Sequence, residues 1–219
     1  MEMGKKGLSS VTKKLIMAIT GAGLVLFLLF HGAMNVVSIF SAEGYRWICE
    51  FLGANWYALV GTVGLAVLVV FHLIYAFILS YQNFRARGRQ RYAVNERPEG
   101  VSWASKNMLA IGAFVIYGLV MHLVDFWSKM QLAEINGNAP VDGIEQIKFI
   151  FSHSFFSMAY LVWLVAIWFH LSHGIASVMQ SIGWSNHVWQ RRIEFLGNFF
   201  AIIIVAMFAS VVVYYWLIV

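Results

Sequence analysis

The chain has 219 residues, 61% of them hydrophobic and 11% charged, with a mean hydropathy of +0.74 and a formal charge of +5. That balance excludes an ordinary soluble domain and places the polypeptide in a bilayer, and it leaves no call for nucleic acid, since basic residues on a membrane protein report topology. A single cysteine, Cys49, excludes an internal disulfide and any iron–sulfur cluster ligated by this chain alone.

The first basic stretch, with Lys5, Lys6, Lys13 and Lys14, leads into an apolar run from Leu15 to about Phe40. The run exceeds a signal-peptide core and contains His31 and Asn35, so it is read as the first span. A short loop with Glu43, Arg46 and Glu50 precedes the second span, about 56–81, which ends in Arg85, Arg87, Arg89, Arg91, Arg97 and Pro98. The third span covers about 105–127. A polar loop and a short amphipathic turn, 143–149, lead to the fourth, about 150–180, longer than a bilayer needs and therefore tilted or projecting at its inner end. After Trp184, His187, Arg191 and Arg192 comes the fifth span, about 195–217, whose end at Tyr214, Tyr215 and Trp216 reads as an aromatic belt. The expectation is an all-α polytopic membrane protein, a single five-transmembrane-helix bundle over residues 1–219. Twelve Lys and Arg on one set of connections against Arg46, Lys129 and Lys148 on the other put the N-terminus in the cytoplasm and the C-terminus outside.

His31, His72, His122 and His170 fall one to a span, inside rather than at the edges, and an imidazole in hydrocarbon needs a partner. At the helical rise, His31 and His122 lie about 25 and 23 Å from the cytoplasmic end, and His72 and His170 both about 15 Å. Matched depths predict two axial pairs on two haems b: an outer haem iron held by His31 and His122, an inner one held by His72 and His170. The face of His170 carries Ala166, Gly174 and Ser177, low enough for a flat macrocycle; Gly118 stands one turn before His122 and Gly32 beside His31, whereas His72 has bulky Leu68 and Val69 on its side. Asn35 suits a propionate or an outer contact of the His31 site, or an interhelical contact. The alternative for any one of these histidines is an interhelical hydrogen bond. His173 is a nearby competitor of His170, and His153 and His187 are read as interfacial.

Thr20-Gly21 leading to His31 and Asn35, the segment His72-Leu73-Ile74-Tyr75-Ala76, His122 in the third span, and His170-Leu171-Ser172-His173-Gly174 followed by Gly183 together resemble the two-haem cytochrome b membrane-anchor subunit of bacterial succinate:quinone and quinol:fumarate oxidoreductases, the complex II family of the respiratory chain. The resemblance covers nearly the whole chain. It implies that the fourth-span ligand is the residue four before a glycine, here His170 rather than His173. It further implies a flavoprotein subunit and an iron–sulfur subunit docked on the cytoplasmic face of the bacterial inner membrane, and electron transport between them and a quinone, commonly menaquinone. Assembly would be as a dimer of heterotrimers, with dicarboxylate chemistry on the other subunits and none on this chain.

Some fumarate-reducing members carry a glutamate two residues before the fourth-span ligand; here that position is Trp168, which removes that proton route. Glu50 and Asp125 are then the candidate proton acceptors at an outer quinone site, beside the reading as ordinary loop or helix-end acids. His153 is a further quinone or propionate candidate. Two rival functions use the same residues: a cytochrome b subunit of a hydrogenase or formate dehydrogenase, whose histidine spacing should differ, and a small non-haem transporter, which should show ionisable groups or broken helices near midplane.

Overall fold

The computed structural model describes residues 8–53, 55–87, 103–184, 186 and 188–218, and among them every regular element is helical. Five helices are long and apolar enough to cross a bilayer: α1 (Ser10–Phe40), α3 (Trp56–Arg87), α5 (Met108–His122) with its continuation to Trp127, α8 (Ser154–Ser181) and α9 (Gln190–Ile218). Between them lie α2 (Ala42–Phe51), α4 (Trp103–Lys106), α6 (Gln131–Ile135) and α7 (Gly143–Phe151). Lys5, Lys6, Arg89, Arg91, Arg97, Pro98 and His187 fall outside the described residues, as does the side chain of Arg87.

The core lies where α8 and α9 pack along their length, with Ala201 and Ile204 sealed against Leu164, Ile167 and Leu171. Helix α1 packs on α3, α8 and α9, and α5 on α8. Many other large apolar side chains are exposed, Leu26, Phe77, Val162 and Leu217 among them, as expected when the outer solvent is hydrocarbon. α3 is the extreme case: no residue in its most apolar stretch is buried, and α1 is its main neighbour.

Three connections differ from the sequence expectation. The loop after the first span is a helix, α2, started by the Ser41 hydroxyl accepting from the Gly44 amide and packed through Tyr45. The turn at 143–149 is a two-turn helix whose apolar positions 144, 147, 150 and 151 recur at helical spacing and face the core. It stops at Phe151, and the fourth span begins only at Ser154; the buried Ser157 hydroxyl donates to the Phe151 carbonyl (2.9 Å) and fixes the corner. The third span is interrupted at Asn107 and finishes as a π-helical turn, Leu123–Trp127.

Asp142 caps α7, accepting from the Ile144 and Glu145 amides at 3.0 Å, and pairs with Arg46 Nε at 2.6 Å. Burial works against its carboxylate, but the Arg46 bond and the two amides outweigh that and hold its pKa below the usual value. The folded pKa is therefore the lower one, so this stabilisation is complete above about pH 4 and fades as pH falls through the folded value. Asp142→Ala is expected to cost about 1 kcal/mol through the lost cap. In thermal unfolding in detergent, the gap between variant and parent should be open at pH 7 and shrink at pH 3.

Candidate functional site

The four span histidines meet in two pairs. The imidazoles of His31 on α1 and His122 at the end of α5 have ring centres 5.8 Å apart at 76°, and those of His72 on α3 and His170 on α8 are 6.2 Å apart at 65°. These are the pairs expected from depth. The helices that carry the two residues of each pair, α1 with α5 and α3 with α8, are not among the extensively packed helix pairs of the described residues.

Surroundings differ between the pairs. Around His31 and His122 the wall is aromatic: Phe27 stacks on His31 (5.2 Å), Phe208 lies 5.6 Å from it, and Phe126 and Trp163 lie 5.4 and 6.0 Å from His122. Trp163 holds its place by donating to the Val115 carbonyl at 3.1 Å, and it lies so close to Gly118 that a Cβ there would fall 2.1 Å from the indole. Only glycine allows α5 and α8 to approach in this way. Asn35 donates to the His31 carbonyl at 2.8 Å, stands 3.5 Å from His31 Nδ1, and accepts from Tyr45 of α2 at 3.3 Å, tying the pair to the capping helices.

The second pair has polar contacts instead. Thr20 Oγ lies 3.3 Å from His72 Nδ1, and Gly21 next to it leaves room for the imidazole edge, where a Cβ would stand 3.4 Å from Cε1. His170 Nδ1 is buried with no hydrogen-bond partner among the described residues. A buried nitrogen left so costs about 1–3 kcal/mol unless something fills the site. His173, by contrast, makes no ring contact with another imidazole among the described residues, and Glu194 is near enough to act on it.

The other candidates sort by position. Asp125 lies in the π-helical turn, where Tyr160 donates to its carboxylate at 2.9 Å and Gln146 to its carbonyl at 2.6 Å. A π turn frees a carbonyl from the helical ladder, and Gln146 takes up the one at Asp125. Glu50 is exposed in the last turn of α2, and His153 is exposed at the start of α8, its Nδ1 2.9 Å from the Phe149 carbonyl. Neither adjoins a histidine pair by any ring contact or hydrogen bond among the described residues. Trp168 donates to Asn198 on α9 at 2.9 Å, so that position serves the helix interface. Burial first, with Asp142 and Glu50 adding and a bond to Tyr45 opposing, pushes the Cys49 thiol up to about 11.

Sequence reasoning did not anticipate Trp163, Tyr160, Gln146 or the contact of Thr20 with His72. Tryptophan spaced seven before His170 was a visible signal for the first. The others depend on which helices turn out to be neighbours.

Comparison with protein-family models, curated proteins and solved structures returns no match.

Chemistry then rests on the donor set. Among the described residues no three His, Cys, Asp or Glu converge into a cage for a bare ion. Two imidazoles per pair would suit a metal carried in a macrocycle better than a bare ion. Metal–imidazole bonds of about 2 Å put the ring centres of two opposed ligands about 6 Å apart. The two observed separations, 5.8 and 6.2 Å, are close to that value.

Proposed function

We propose that this chain is a di-haem cytochrome b that anchors a succinate:quinone or quinol:fumarate oxidoreductase in the bacterial cytoplasmic membrane and exchanges electrons with menaquinone or a related quinone. One observation carries the reading: the four span histidines meet as two pairs, with ring centres 5.8 and 6.2 Å apart, and each pair joins two different spans. Interhelical hydrogen bonding, the alternative for single histidines, accounts for His72, which meets Thr20 of α1, but it does not account for the pairing, because neither pair is joined by a hydrogen bond among the described residues.

His31 and His122 would hold one group, and His72 and His170 the other. Held by these histidines, haem b would supply one-electron transfer. The chain's own part is to fix imidazole orientation through Asn35 and Thr20, to exclude water from the first pair with Phe27, Phe126, Trp163 and Phe208, and to keep the remaining exterior apolar for lipid. The basic ends of α1, α3 and α9, with Lys13, Lys14, Arg85, Arg191 and Arg192, form the cytoplasmic side in this reading and receive the flavoprotein and iron–sulfur subunits.

The test is a reduced-minus-oxidised optical spectrum of the purified full-length chain with a haem-to-protein ratio. Two haems per chain with a bis-histidine α-band are expected. Folded protein made with ample haem supply and carrying none would overturn the reading, and reduction by a menaquinol analogue, or its failure, decides the quinone part.

A further inference from the structure

We infer that Thr20 is a positioning residue: its hydroxyl accepts the Nδ1 proton of His72 and so turns the Nε2 lone pair of that imidazole towards His170. The inference rests on the haem reading for its consequence, but its argument is a count of protons.

Thr20 is buried at 6% exposure in the middle of α1, and its hydroxyl has one proton to give. Three acceptors lie within reach: the Ile16 carbonyl at 2.9 Å, the Met17 carbonyl at 3.1 Å and His72 Nδ1 at 3.3 Å. Threonine in a membrane helix gives its proton back to the carbonyl one turn earlier, and the two carbonyls are the nearer acceptors. With that proton spent, the hydroxyl can meet His72 only through a lone pair. His72 must then be the donor, which fixes its proton on Nδ1 and leaves Nε2 unprotonated.

The arrangement is also asymmetric. His170, opposite it, has an Nδ1 without any partner among the described residues, so only one of the two imidazoles has its tautomer set by the protein. An N–H held by an oxygen acceptor makes imidazole a stronger electron donor to a metal on its other nitrogen. Thr20 therefore biases the group between His72 and His170 towards its oxidised form and leaves the His31–His122 pair untouched.

Redox titration of the full chain in its membrane, following the α-band, compares the parent with Thr20→Val, which keeps shape and loses the acceptor, and Thr20→Ser, which restores it. One of two midpoint potentials should move to more positive values in Thr20→Val and return in Thr20→Ser, while the second stays. Haem at the His72–His170 site should also be lost about tenfold more readily in the valine variant. Should Thr20→Val fail to accumulate, Thr20→Ala carries the same expectation. Two haems with both potentials unmoved in a folded variant would overturn the role of Thr20 alone, whereas a parent chain without haem would overturn the reading beneath it as well.

Discussion

Replacing His170 by alanine is expected to halve the haem content of the purified chain, from two to one, while His173→Ala keeps both. The two residues lie three apart on α8, yet only His170 faces another imidazole, that of His72 at 6.2 Å. Losing one axial ligand leaves the opposite imidazole without a partner in hydrocarbon, and a metal group held by two nitrogens is then held by one. The measurement is haem per chain by extraction, with the spectrum assigning the surviving site. Two intact haems in His170→Ala would transfer the ligand role to His173 or abolish it.

Gly118→Val should remove the other haem. A Cβ at position 118 would stand 2.1 Å from the Trp163 ring, far inside contact distance, so the indole must leave its place beside His122 or α5 must back away from α8. Either movement breaks the Trp163 bond to the Val115 carbonyl and turns His122 relative to His31. Overpacking of this kind costs about 1–3 kcal/mol of stability, and the spectral loss should be confined to the His31–His122 site. A folded Gly118→Val chain with both haems and unshifted bands would show that the close approach of α5 and α8 does not shape that site.

The five apolar spans were legible because hydrocarbon imposes a length and composition on any helix that crosses it. The pairing of His31 with His122 and of His72 with His170 was legible for a related reason: only residues at one depth in a bundle can face each other, whichever helices pack most closely. The connections were less so. Asn107 interrupts the third span and Ser152–His153 the start of the fourth, because short polar residues offer their own hydrogen bonds to the backbone, and whether they break a helix depends on what packs beyond them. The loop at 41–55 hid α2, since ten residues with alternating charge and aromatic character form a helix there only once Tyr45 has the Asn35 side chain and the core to pack against. Spacing placed Trp163 two turns before His170, but that it reaches the His122 site depends on Gly118 of another helix.

Helix α8 borders both histidine pairs, through Trp163 beside His122 and through His170 opposite His72. Those two residues are seven apart on one uninterrupted helix, so the levels at which α8 meets the two pairs are separated by about 10 Å of helical rise. The pitch of a single rod sets that axial interval, not the loops at either end. Tilting of the bundle or repacking of its capping helices can therefore reorient the two sites together, but it cannot slide these two contacts along α8 relative to each other.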